Sequence, residues 1–231
     1  MDFFIEGFKQ AWLLLVTRDP ETFSAVWATV ASTCCAMAAS ICIGLPAGFV
    51  LGYADFPGRR LLRMVSDTLL AFPTVLIGLL VYGLICRRGA LGDFGLLFTL
   101  TGMAIGHCIL ALPILISLTA QAVETLDTRC RQTLLTLGAN SIQTAAATLL
   151  EARFSILAAG IAAFGRVVTE VGIAMMLGGN IKWETRTITT AIALETNKGE
   201  FARGLALGLV LLLMAFAVNC ALGLTRRKDR A

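Results

Sequence analysis

Positions 23 to 53 carry no charged residue. An apolar run of about 18 residues is already long enough to cross a bilayer, so this segment has length to spare. Four further segments, at residues 61–86, 94–119, 156–177 and 205–224, are also predominantly apolar. Only 15% of the chain is charged, against about a quarter in soluble domains, and 57% is hydrophobic. These features imply an all-α polytopic membrane protein with about five transmembrane helices. Net charge is a modest +4 with the basic residues in the connections, which gives no reason to expect nucleic acid as a partner.

Ahead of the first span, residues 1–18 predict an amphipathic helix lying in the membrane interface. Phe4, Phe8, Trp12 (or Ala11) and Leu15 share one face, with Asp2, Glu6, Lys9 and Gln10 elsewhere. No basic region opens the chain, so a cleavable signal peptide is not expected. Asp19-Pro20-Glu21 reads as a helix start. In the first span Gly44, Gly48 and Gly52 recur every four residues, the spacing that lets helices approach closely in lipid, and Pro46 is expected to kink it. The second span, 61–86, contains Pro73 and Gly78. Residues 178–204 form a polar excursion with a short helix near 187–195. Its threonines suit capping and packing, and as an outer ledge it could also dock a partner.

Orientation follows from Lys and Arg. With the basic tail, residues 225–231, in the cytoplasm, five spans put the N-terminus outside. Ten basic residues then lie inside, among them Arg59, Arg60, Arg63, Arg129, Arg131 and Arg153, against eight outside.

No catalytic constellation, metal-ligand cluster or phosphate-binding loop of the Gly-x-x-x-x-Gly-Lys-Ser/Thr type occurs, so no cofactor is implied and any ATP must be used by another chain. The seven cysteines follow no disulfide or zinc spacing and suit helix packing. His107 is single, where a haem-bearing membrane subunit needs paired axial ligands. Arg166 and Glu170, in GRVVTEVGIAMMLGGN, are the informative charges. Each costs about 2.5–3.5 kcal/mol at the centre of a span unless paired or wet. Four apart, they fall on one helical face and can meet. Either they form a neutralised structural pair, or they line a path with Thr169 beside them. A path with a paired charge and small polar groups suits an anion that must leave as easily as it enters.

Between the third and fourth spans, residues 123–156 are polar. They read as two short helices around a break at Gly138-Ala139-Asn140-Ser141, where glycine permits an unusual backbone and Asn-Ser caps the second helix. This stretch resembles the coupling loop of type I ABC importer permeases. Gly138 and Leu150 fit that family's pattern, Gln132-Thr133-Leu134 stand in place of Glu-Ala-Ala, Thr148 replaces Ile, and Glu151 replaces Pro. Leu45-Pro46-Ala47-Gly48, the run from Asp67 through Pro73 to Gly78, and Ala111-Leu112-Pro113 followed by Leu126-Asp127 are similar to the family's helices. The resemblance covers residues 22–224. Gly165-Arg166 through Gly172, Gly178-Gly179-Asn180-Ile181 and Thr185-Arg186-Thr187 resemble the oxyanion branch of molybdate, tungstate and sulfate permeases, and look closest to the tungstate type.

The resemblance implies a MetI-like fold in a bacterial cytoplasmic membrane. It implies a homodimer of this chain, an ABC ATPase subunit gripping the loop at Gly138, Ala139, Asn140 and Leu150, and an external oxyanion-binding protein. A secondary carrier, driven by an ion gradient, and a non-transporting subunit of a redox complex are the readings from other classes. No internal repeat of the kind many carriers show is found.

Overall fold

The computed structural model describes residues 2–126, 132–133 and 135–228. Asp127, Arg129, Arg131 and Leu134 of the polar loop and residues 229–231 of the tail lie outside the described residues.

Helix α1 (Asp2–Val16) runs against the last helix, α9 (Phe201–Lys228). Its contact face is made of small residues. Ala11 is buried, and a Cβ on Gly7 would stand 2.6 Å from Leu205 Cδ2. Phe8 and Trp12, from the aromatic face seen in the sequence, point outward.

Helix α2 (Pro20–Tyr53) starts as its sequence dictates. Asp19 Oδ2 accepts the Thr22 N–H at 2.8 Å, and Pro20 fills the first position. The helix continues through Pro46, which leaves only its own missing N–H out of the ladder. The Gly44–Gly48–Gly52 stripe packs on α5 (Leu100–Glu124). A Cβ on Gly48 would stand 2.7 Å from the Ile116 carbonyl oxygen, and one on Gly52 2.6 Å from that of Ala120. Those approaches are closer than any residue with a side chain allows, so the glycines set the helix–helix distance.

The second span, expected over 61–86 with Pro73 inside it, is not one straight helix. It is α3 (Arg59–Leu69) and α4 (Thr74–Ile85), bent by 101° between them. Pro73 supplies the reason: it has no N–H to donate and bars Phe72 from helical geometry. No residue of α3 is buried. It is strapped by charge to the end of α5 that leads into the polar loop. Arg59 reaches Glu124 at 2.9 Å and Asp55 at 2.7 Å, and Arg63 donates to the Ser117 carbonyl at 2.7 Å. After α4 come a tight turn and a single 3₁₀ turn (Gly92–Phe94). The third span then begins at Leu100, later than Phe94, because Thr99 caps it by accepting the Gly102 N–H.

The fourth span also departs from expectation. It does not begin at Ile156. Helix α6 (Ser141–Val168) runs unbroken from the polar loop into the membrane, so the loop's second short helix is the start of this long one. At its other end the helix stops at Val168, residues 169–171 break it, and α7 (Gly172–Gly178) follows. The run Val167-Val168-Thr169 with Val171 is β-branched and weakens the helix there. Helix α8 (Ile188–Asn197) lies in the polar excursion, within two residues of where the sequence put it. Thr187 and Thr190 form its capping box, and the Ile188 N–H donates to Thr29 Oγ1 on α2. The threonines cap and pack: Thr185, Thr187, Thr189 and Thr190 are all buried.

Among the described residues four helices are long and apolar enough to cross a membrane, namely α2, α5, α6 and the first twenty residues of α9; counting the bent α3–α4 pair as one span makes five. The core lies where α4, α5 and α7 meet, around Ile85, Met103, Leu115, Ile173 and Leu177. Leu79, Leu80, Leu212, Leu213 and Phe216 are exposed, as side chains facing lipid should be.

Candidate coupling loop and translocation face

Gly138 sits in the left-handed region at φ +84°, and nothing lies within 4 Å of the position its Cβ would take. Backbone conformation alone, without crowding, selects glycine here. Its N–H donates to the Leu135 carbonyl, closing one helical turn, and the chain then reverses through Ala139 into Asn140. Asn140 and Gln143 form a reciprocal capping box. Asn140 Oδ1 accepts the Gln143 N–H at 2.8 Å, and Gln143 Oε1 accepts the Asn140 N–H at 2.9 Å.

The turn therefore presents a rigid corner. On either side of it Leu137 is 79% exposed and Ile142 is 81% exposed. Two bare aliphatic side chains flanking a fixed turn in a polar segment form a knob that another protein can grip. Sequence reasoning named the turn but not these two residues; apolar residues bracketing a glycine in a polar loop were the available signal. Leu150 does not join the corner. It lies ten residues along α6, about 15 Å away, in an apolar groove with Ile41, Leu45 and Leu115. Arg153 in the same groove folds back, donating to the Leu150 carbonyl and stacking over Phe154.

At the other end of α6 the expected ion pair is formed, by a different geometry. Arg166 Nη1 donates to Glu170 Oε2 at 2.8 Å. Arg166 belongs to the last turn of α6, but Glu170 lies in the break. Its second oxygen, Oε1, accepts the Gly172 N–H at 3.0 Å and so holds the start of α7. Its backbone carbonyl accepts from Thr189 Oγ1 at 3.0 Å. The two side chains differ in exposure, 4% for Glu170 and 45% for Arg166. A carboxylate with one cation and a backbone N–H is a satisfied buried charge. The guanidinium is only partly used and faces outward.

Thr169 is exposed beside it, its hydroxyl donating to the Gly165 carbonyl at 2.9 Å. Toward the polar loop, Ser155, Ala158 and Ala162 are exposed along the same side of α6. This face is made of small side chains with polar groups at Ser155, Arg166 and Thr169, unlike the Leu and Phe side chains that α9 exposes.

Two further ionic hubs tie the ends of the bundle. Glu124 takes Arg59 and, at 3.5 Å, Arg63, where α5 meets the polar loop. At the opposite end Glu21 takes Arg186 at 2.6 Å, Lys182 at 3.0 Å and Arg203 at 3.5 Å, joining α2, the excursion and α9. His107 is buried in α5 with both ring nitrogens unpartnered among the described residues. No group of three His, Cys, Asp or Glu that could hold a metal ion occurs among the described residues.

A bundle of spans with broken helices, a face of small side chains and an exposed glycine corner fits the membrane subunit of a transport system. The chain belongs to the family of binding-protein-dependent transport system inner membrane components, which it matches over residues 44–228. Within it, the chain is similar to the tungstate uptake system permease protein TupB of Campylobacter jejuni, 45% identical over 95% of this chain and 92% of the relative. The protein of the same name from Peptoclostridium acidaminophilum is 34% identical over 96% and 97%. Among solved structures, an inward-facing form of the MetNI methionine ABC transporter superposes with a TM-score of 0.72 over 90% of this chain and 95% of that one. At 17% identity that likeness shows a shared fold, the MetI-like fold expected from the sequence.

Proposed function

We propose that this chain is the permease subunit of an ATP-driven importer for tungstate in a bacterial cytoplasmic membrane. The supporting observation is the near-full-length similarity, at 45% identity, to a tungstate uptake permease. Two copies form the channel. An ABC ATPase subunit grips the corner at Gly138, Ala139 and Asn140, with Leu137 and Ile142 filling its socket and Leu150 supporting α6 behind. An external oxyanion-binding protein delivers the substrate. The N-terminus is outside and the C-terminus is cytoplasmic, with α1 packed against the outer part of α9.

Coupling follows from the continuity of α6. The corner caps the start of α6 and Arg166 lies in its last turn, so a displacement of the loop moves the far end of the same helix. Arg166 and Thr169 face the path. Glu170 is the structural partner, fixing the guanidinium and the start of α7 while keeping local charge near neutral. A dianion is then attracted without being trapped, as transit requires.

The test is reconstitution of the chain with its ATPase and binding protein in liposomes. Tungstate accumulation that needs ATP and both partners is the expected result. Uptake driven by an ion gradient alone identifies a secondary carrier, and a preference for molybdate or sulfate reassigns the substrate within the oxyanion branch.

A further inference from the structure

The α3–α4 bend and the α6–α7 break meet. A Cβ placed on Gly172 would stand 3.3 Å from Glu170 Oε1, 3.4 Å from Val75 Cγ2 and 3.8 Å from Thr74 Oγ1. One on Gly78 would stand 3.0 Å from Met176 Sδ and 3.5 Å from Ile173 Cα, so α4 and α7 run side by side in the same direction. Both therefore begin at one level. Helix α4 has twelve residues, about 18 Å of rise, and ends at Ile85 just before the charged turn at Arg87 and Arg88. Its first residue thus lies more than halfway across a hydrocarbon core of about 30 Å. Irregular backbone at that depth is tolerated only where protein buries it or water reaches it. Here Ala71, Pro73 and Thr169 are exposed on the single chain. Under the transport reading above, this surface faces a wet cavity between two copies of the chain.

The hydrogen-bond donors at this level are few. The Thr169 proton is committed to the Gly165 carbonyl, and Glu170 only accepts. Arg166 spends one N–H on Glu170. Thr74 is half-buried at the rim, and its hydroxyl has no partner among the described residues.

We propose that Thr74 is a substrate contact, its hydroxyl and the outward side of Arg166 flanking Glu170 to form a transit site for a tetrahedral oxyanion. The site lies where the two breaks converge, and it rests on the transport reading above. A neutral hydroxyl opposite a half-neutralised guanidinium holds the anion weakly and from two sides. Removing the hydroxyl removes a donor and leaves an apolar rim on the path.

The test uses the complete transporter in liposomes with its ATPase and binding protein. Thr74→Val, which keeps the shape and loses the hydroxyl, is expected to slow tungstate uptake at least fivefold. ATP hydrolysis stimulated by the loaded binding protein should stay within twofold, and Thr74→Ser should restore uptake. Unchanged uptake in Thr74→Val overturns the proposal. A second arm does not depend on transport. In a chain whose native cysteines are replaced by serine, Thr74→Cys should react with a membrane-impermeant anionic thiol reagent, and tungstate should slow that reaction. Leu80→Cys, on the outward side of α4, should stay silent. Equal silence at both positions also overturns the proposal. Absence of tungstate uptake by the unsubstituted transporter overturns the functional reading instead, and the labelling arm still decides whether position 74 meets water.

Discussion

Arg166 and Glu170 meet at 2.8 Å across the end of a helix, and the carboxylate of the pair also anchors the start of the next one. The two residues are therefore unequal. Arg166 has one strong partner and a free side; Glu170 has a cation, a backbone N–H and almost no solvent.

That inequality is testable by substitution. Glu170→Leu leaves the Gly172 N–H and the guanidinium without their acceptor, and should destabilise the chain by roughly 3 kcal/mol. Glu170→Gln keeps an acceptor in place and should cost clearly less. Pairing Glu170→Leu with Arg166→Met should recover only part of the loss, because the uncapped α7 remains. Thermal unfolding in detergent ranks the three; a double variant as stable as the original chain would mean that the cap contributes nothing.

The glycine stripe of α2 makes a steric prediction. Gly48→Ala or Gly52→Ala drives a methyl into the Ile116 or Ala120 carbonyl oxygen, and backbone cannot swing aside as a side chain can. Each should cost about 1–3 kcal/mol and lower the yield of folded protein. Gly160→Ala, where nothing lies within 4 Å, should be silent or slightly stabilising. The comparison is read by size-exclusion profile and melting temperature of the three variants.

Gly138 separates conformation from packing. Gly138→Val places a β-branched residue at φ +84°, straining the corner by about 1–2 kcal/mol without any clash. The chain should still insert and fold. Uptake per ATP hydrolysed should fall severalfold, with Gly138→Asn milder because Asn tolerates left-handed geometry. Normal coupling in the valine variant would remove this corner from the mechanism.

His107 bears on whether every buried polar group serves function. Both its nitrogens are buried without partners among the described residues, a burden of about 1–3 kcal/mol. His107→Leu should keep transport and raise the melting temperature. A loss of uptake with the fold intact would show that the ring has a partner in another state of the cycle.

Much of this was legible in the sequence because it depends on local chemistry. Asp19-Pro20 and Asn140-x-x-Gln143 set helix starts through bonds spanning three residues. Gly138 declared a turn, and Gly44, Gly48 and Gly52 declared a close contact without naming α5 as the partner. Apolar length counted the spans, because a bilayer imposes one thickness on them all. The motif order from Leu45 to Thr187 carried the family, and the relatives agree.

Length and hydropathy record how much chain is apolar, not which way it points. They could not show that Pro73 turns the second span through 101°, nor that the fourth stops at Val168 with Glu170 just beyond its end. The sequence by itself determined the membrane class, the caps, the glycine corner and the presence of a charge pair, all of which follow from residues near one another in the chain. Only the tertiary structure decided that the two breaks lie together, with Thr74 beside Gly172 and Glu170. That closeness comes from α4 and α7 packing side by side, and no spacing along a chain encodes which helices become neighbours.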